Sequence, residues 1–318
     1  MFDSYKRTAL YNLVRKSFGQ LQHIAAIDVG SNAIRLVVGE VDADGNVSSL
    51  QRIREPVRLG GDVFGSGKIS GEIMDRALQA FQRFNDLLAE YRVDSTWAVA
   101  TSAVREAKNG KEFVEKVKTS TGIEIEVIDG FKEADLVYQA VKSKMEFISE
   151  NGLIMDVGGG SVEFIHIEKG NITDVTSLPF GTVRKLKKSK KPKGMKAVLT
   201  KEREQIQKFA SQFKTKPKNF VGTGGNIVCM GTLRRQILGK SKSSKIRLSE
   251  VKKILDQIEP LGFEGRMKKL GMRNDRADVI IPAMQTVASV MEIFQVKEMQ
   301  IPQVGLRDGL LLAHSNFE

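Results

Sequence analysis

The feature that most constrains the fold of this chain is an internal echo. Residues 24–50 read IAAIDVGSNAIRLVVGEVDADGNVSSL and residues 153–178 read LIMDVGGGSVEFIHIEKGNITDVTSL. Each begins with a short apolar run ending in Asp-Val-Gly, followed by a turn of small residues and an alternating strand. An acidic or glycine-containing turn and a third strand complete each unit. Alternation with period two, broken by such turns, is the pattern of a β-meander. The meander is used twice, with Asp28 and Asp156 at the ends of the two first strands. Two lobes of common design follow, and 318 residues suffice for two domains with a core each.

The remaining segments alternate helices and strands. Residues 70–91 place Ile73, Ala77, Phe81, Phe84 and Leu88 on one helical face, with Ser70 as N-cap. A strand at 96–101, a helix from about Gly110 to Lys118 and a strand at 123–129 come next. The segment Lys132–Phe147 has helical periodicity and is placed to cross between lobes. Further helices are expected near 201–213, 225–238, 249–259 and 277–294, with a short strand at Phe220–Val221. This alternation predicts α/β lobes, each a mixed sheet with flanking helices. Residues 184–196, RKLKKSKKPKGMK, read as an exposed basic loop, and 240–247 as a second, shorter one.

Several function classes fall away. Cys229 is the sole cysteine and the three histidines, His23, His166 and His314, are scattered, so a disulfide and a zinc-type site are not expected. No apolar run reaches the roughly 18 residues of a membrane span. The N-terminal stretch carries charges where a signal peptide needs an apolar core. Its Leu10, Leu13, Val14 and Phe18 recur at helical spacing, which suggests a short amphipathic helix docked on the body. The expectation is a soluble, cytoplasmic protein. Net charge is uneven: residues 1–150 hold 20 Lys+Arg against 22 Asp+Glu, and residues 151–318 hold 30 against 16. A basic excess of that kind points to a polyanionic ligand.

Three glycine-rich turns follow predicted strands: Gly30-Ser31-Asn32, Gly158-Gly159-Gly160-Ser161 and Gly222-Thr223-Gly224-Gly225-Asn226. Such turns let backbone N–H groups converge on an anion at a strand end. Asp28 and Asp156 stand beside two of them, and Glu163 follows across the second turn. Carboxylates beside a phosphate cradle repel the ligand unless a cation lies between them, and Mg²⁺ is the usual one.

With these motifs in view, the chain resembles the exopolyphosphatase/guanosine pentaphosphate phosphohydrolase (Ppx/GppA) family. The matching stretches are DVGSNAIRLVV (28–38), EPVRLG (55–60), ATSAVREAKNG (100–110), GFKEADLVYQAV (130–141) and DVGGGSVEF (156–164). LPFGTVR (178–184), VGTGGN (221–226), DRADVIIPA (275–283) and GLRDGLL (305–311) complete an ordered set. The resemblance implies a two-lobed α/β fold: ribonuclease-H-like lobes of the actin/sugar kinase/Hsp70 superfold with an interlobe cleft. Residues 1–133, joined by 302–318, would form one lobe and 134–301 the other, the family's short form.

The resemblance also implies roles. Glu133 matches the family's general base and Glu163 its other active-site acid. Gly30, Ser31, Asn32, Arg105, the turn Gly158, Gly159, Gly160 and Ser161, and Gly224 and Gly225 are the expected phosphate contacts. Asp156 and Glu163 are expected to hold Mg²⁺ or another divalent cation. The implied reaction is removal of the terminal phosphate from polyphosphate, with pppGpp 5′-phosphohydrolysis or non-catalytic polyphosphate or nucleotide sensing as alternatives. Lys187, Lys188, Lys190 and Lys191 are candidate contacts for a long polyanion. No membrane or DNA partner is expected, and a homodimer is the candidate assembly. Asp135, Val162, Asn226 and Pro302-Gln303 depart from the family pattern.

Overall fold

The computed structural model of the chain describes residues 21–145, 151–188, 194–213, 215–240 and 244–315. The amphipathic helix expected within residues 1–22 lies almost wholly outside them, as do Lys190 and Lys191.

Both meanders form. In the first sheet, β1 (Gln22–Val29), β2 (Ile34–Val41) and β3 (Val47–Glu55) run antiparallel in turn, and β4 (Ser95–Ala100) lies parallel to β1 on its other side. In the second sheet, β6 (Gly152–Val157), β7 (Val162–Glu168) and β8 (Asn171–Leu178) repeat this arrangement, with β9 (Asn219–Thr223) parallel to β6. The full orders are β3-β2-β1-β4-β5, with β5 at Ile125–Val127, and β8-β7-β6-β9-β11-β10, with β10 at Lys245–Arg247 and β11 at Glu298–Gln300. The first strands are buried throughout most of their length because both faces are covered, which explains why they read as continuous apolar runs.

Each sheet has its own core. Helix Gly71–Glu90 packs Ile73, Ala77, Phe81, Phe84 and Leu88 inward, and its N-cap Ser70 accepts the Ile73 N–H as expected. Helices Gly225–Leu238, Leu248–Ile258 and Ile280–Ile293 cover the second sheet. A third apolar cluster joins the lobes. Helix Gly130–Lys142 contributes Ala134, Leu136, Val137, Tyr138 and Val141, and helix Leu306–His314 contributes Leu306, Leu310 and Leu311. They meet Ile24, Ala26 and Val37 of one sheet and Ile154, Ile165 and Val221 of the other. The helix carrying Glu133 is thus held in a shared interlobe core.

The basic stretch 184–196 is not an exposed loop where it is described. Residues Thr182–Lys188 and Gly194–Ala210 are helical, and Arg184 and Lys185 are buried. Lys185 donates to both Glu202 oxygens at 2.8 and 2.7 Å, to the Pro282 carbonyl at 3.2 Å and to the Thr286 hydroxyl. Partners supplied from distant sequence draw Arg184 and Lys185 of the charge run into the interior. The second basic stretch also differs, since Lys245–Arg247 pairs with β11 as an edge strand and Glu298 forms ion pairs with both Lys245 and Arg247. The strand expected at 123–129 shortens to Ile125–Val127.

Candidate active site

The two meanders put their first turns face to face across a cleft. Its walls include Asp28, Gly30, Ser31 and Asn32 from one lobe and Asp156, Gly158, Gly159, Ser161, Gly224 and Gly225 from the other. The turns are built alike: Gly30 N–H donates to the Ala33 carbonyl at 3.2 Å, and Gly158 N–H to the Ser161 carbonyl at 3.1 Å. Gly160 does not line the cleft, although it belongs to the same turn. A Cβ there would lie 2.2 Å from Ser102 Oγ and 2.5 Å from Phe64 Cζ, so its missing side chain makes room for the opposite lobe.

The register of the strands reveals an asymmetry. Asp28 faces Arg35 across β1 and β2, and Asp156 faces Glu163 at the corresponding positions of β6 and β7. Arg35 Nη1 binds Asp28 Oδ2 at 2.5 Å, so the first turn carries its own cation. The second turn sets two acids side by side, and Glu133 joins them from the first turn of its helix. Glu133, Asp156 and Glu163 each offer an oxygen, and these oxygens lie within 4.8 Å of one another.

These acids are not neutralised from within. Glu163 accepts from Ser177 Oγ at 2.9 Å and Asp156 from Thr223 Oγ1 at 2.5 Å. Glu133 Oε2 and Glu163 Oε2 are buried with no hydrogen-bond partner among the described residues. Arg105 Nη1 donates to the Ile128 carbonyl and lies 4.0 Å from Glu133 Oε2, outside the residues that line the cleft. Burial, then the Glu163, Asp156 and Asp28 charges, push the Glu133 carboxyl well above the usual range. Burial also raises Asp156, and burial with the Asp156 charge raises Glu163 to about 7. Orphaned carboxylate oxygens converging in this way fit a divalent cation, with Asp156, Glu163 and Glu133 as available donors.

A stability consequence follows for protein stripped of divalent cations. Glu163 has its carboxyl raised from 4.5 to about 7. Between those values the unfolded Glu163 carboxyl is ionised and the folded one keeps its proton, so stability falls as pH rises through that window, and the raised Glu133 carboxyl acts in the same direction. Calorimetric melting should show a lower Tm at pH 7.5 than at pH 5, and added Mg²⁺ should raise Tm more at the higher pH. A Tm that rises steadily across that window would contradict the buried acid cluster.

Beyond Arg105, the sequence pattern did not single out the arginines of the cleft. Arg35 could have been found by aligning the echoes, since it follows Asp28 by the interval that separates Glu163 from Asp156. Arg276 and Arg307 also line the cleft and have no counterpart in the echo. Burial brings both guanidinium groups down to about 10. Asn226, one of the departures, donates to Thr182 Oγ1 at 3.4 Å and accepts from Arg276 Nη1. Of the other departures, Val162 is core, Asp135 is half-exposed, and Gln303 lines the cleft. Arg35, Arg52, Arg54, Arg273, Arg276 and Arg307 line an adjoining recess, so both halves of the chain supply its positive charge.

A model of the Ppx/GppA phosphatase family matches residues 37–316. The chain belongs to that family. Among solved structures, the Ppx/GppA family member of Aquifex aeolicus is 27% identical, with 94% of this chain and 100% of that chain covered and a TM-score of 0.76. An exopolyphosphatase from Cytophaga hutchinsonii is 24% identical over 93% of this chain and 98% of that one, with a TM-score of 0.84, a likeness of fold. Family membership makes the chain a phosphohydrolase, and the acid cluster lies where its two lobes meet. No helix among the described residues is long and apolar enough to cross a membrane.

Proposed function

We propose that the chain is a Mg²⁺-dependent, cytoplasmic exopolyphosphatase that releases the terminal phosphate of inorganic polyphosphate. Residues 1–133 with 302–318 form one lobe of the enzyme and 134–301 the other. The observation that carries the reading is a cluster of three buried carboxylates, two with orphaned oxygens, of which Glu133 and Asp156 line a cleft walled by three glycine turns and Glu163 lies within 4.8 Å of both.

In this reading Asp156 and Glu163 hold the cation, which when bound offsets the charge of the phosphate oxygens. Glu133 accepts a proton from water, and the raised proton affinity of its carboxyl suits it to that task. The water oxygen bonds to the terminal phosphorus, the bridging P–O bond breaks, and inorganic phosphate leaves a chain one unit shorter. The turns at Gly30–Asn32, Gly158–Ser161 and Gly224–Gly225 orient the terminal phosphate by backbone N–H groups. Arg105 Nη1, 4.0 Å from Glu133 Oε2, sets positive charge beside the base. Phosphoryl transfer asks mostly for such positioning and charge stabilisation. The arginine recess suits the phosphates that follow in a chain and equally those of pppGpp, the alternative substrate. Phosphate release from long polyphosphate and from pppGpp, side by side, decides between them.

The lysines test the polymer reading separately. Arg184 and Lys185 are buried and committed to protein partners, whereas Lys187 is half-buried and Lys188 exposed. Changing Lys187, Lys188, Lys190 and Lys191 to Gln should raise KM for long polyphosphate and flatten its salt dependence, because fewer counterions are released on binding. Tripolyphosphate should respond little. Equal responses from long and short substrates would remove the lysines from the substrate path.

A further inference from the structure

We propose that Arg184 is a positioning residue that sets the phosphate turn of one lobe in register with that of the other. The inference rests on the reading of the cleft as a phosphate site, and starts from how the turn Gly158–Ser161 is held. Thr182 N–H donates to the Gly158 carbonyl at 3.1 Å, Val183 and Arg184 N–H to Gly159 at 2.9 and 3.1 Å, and Gly181 N–H to Gly160 at 3.1 Å. All three glycine carbonyls therefore point back at residues 181–184. Because C=O and N–H of one trans peptide point in opposite directions, the N–H groups of Gly159, Gly160 and Ser161 face away from that segment. Only glycine fits at 181, where a Cβ would lie 2.2 Å from the Gly160 carbonyl carbon.

Arg184 adds a side-chain clamp to this backbone bracket. Its Nε donates to the Gly160 carbonyl at 2.6 Å. Nη1 and Nη2 form a two-pronged pair with Glu106 at 2.9 and 2.5 Å, and the guanidinium lies 3.9 Å from the centre of the Phe64 ring. Glu106 ends helix Ser102–Glu106 and Phe64 belongs to helix Leu59–Ser66, both in the first lobe. One planar group thus holds the turn of the second lobe through Nε and grips the first lobe through its other edge and one face. Its own backbone is fixed, since the neighbouring Lys185 is locked to Glu202 within the second lobe. The turns that this clamp brings together are close: a Cβ on Gly159 would sit 3.0 Å from Ser31 Cβ. Glu106 and Phe64 do not line the cleft, so neither contacts substrate in this arrangement.

The test compares Glu106→Gln, Phe64→Leu, Arg184→Gln and the Glu106/Arg184 double variant. Tripolyphosphate hydrolysis with Mg²⁺ is measured alongside calorimetric binding of inorganic phosphate. Glu106→Gln leaves the turn's own bonds intact and should raise KM about three- to tenfold with kcat nearly unchanged, a modest effect because Glu106 is 43% exposed. Phe64→Leu should shift KM in the same direction. Arg184→Gln should raise KM at least as far and also lower kcat, since the Gly160 carbonyl loses its clamp. The double variant should be no worse than Arg184→Gln, because both changes break one contact. Unchanged KM in Glu106→Gln and Phe64→Leu, or full additivity in the double variant, would overturn the proposal. If the unmodified protein releases no phosphate, the hydrolase reading fails, and the same pattern in phosphate affinity still decides the role of Arg184.

Discussion

Glu133→Gln should lower kcat by about 10²–10⁴-fold while leaving KM nearly unchanged. The amide keeps the size and the helix position of the carboxyl but cannot take a proton from water. The geometry sharpens the expectation. Glu133 sits in the first turn of a helix buried between the lobes, so its side chain cannot be replaced by rearrangement of the backbone around it. Arg105, 4.0 Å away, supplies no proton acceptor in its place. Removing one negative charge from the cluster should also ease the burial cost of Asp156 and Glu163, so the variant should melt at or above the temperature of the unmodified protein. Steady-state kinetics with a melting curve on the same sample checks both parts. Retention of more than about half the activity would remove Glu133 from the role of base.

The second large effect concerns the cation. Excess chelator should abolish phosphate release, and Mg²⁺ should restore it. Asp156→Ala and Glu163→Ala should each raise the Mg²⁺ concentration needed for half-maximal rate, because each removes a donor from a set of three. Asp28→Ala should behave differently. Asp28 is already paired with Arg35, so its loss would free a guanidinium rather than a metal ligand and leave the Mg²⁺ requirement in place. Titration of Mg²⁺ for the three variants separates these outcomes. Full activity of the unmodified protein in chelator would refute the metal role.

The sequence was legible wherever local pattern determined structure. The paired meanders, the helix begun by Ser70 and the helix at 225–238 follow from periodicity and turn chemistry that neighbouring residues set among themselves. The basic stretch at 184–188 was misread for the opposite reason. Nothing near Lys185 in sequence announces that Glu202 and Thr286 will surround it, and an unpartnered lysine belongs in solvent. The short strands β10 and β11 escaped notice because three-residue strands owe their existence to a neighbour rather than to their own pattern.

The division at the active site is similar. Sequence by itself determined that two acidic, glycine-rich turns exist and that their strands are related by duplication, because those are properties of contiguous residues. It did not decide what neutralises each turn. Only the tertiary structure shows that β1 and β2 bring Arg35 to Asp28, that β6 and β7 bring Glu163 to Asp156, and that Glu133 arrives from a helix shared by both lobes. It likewise decided that Arg184 belongs to the scaffold and that arginines from both halves of the chain meet in one recess. The physical reason is that charge acts through space: a carboxylate answers to whatever lies within a few ångströms, and chain order leaves that distance unset until the lobes have packed.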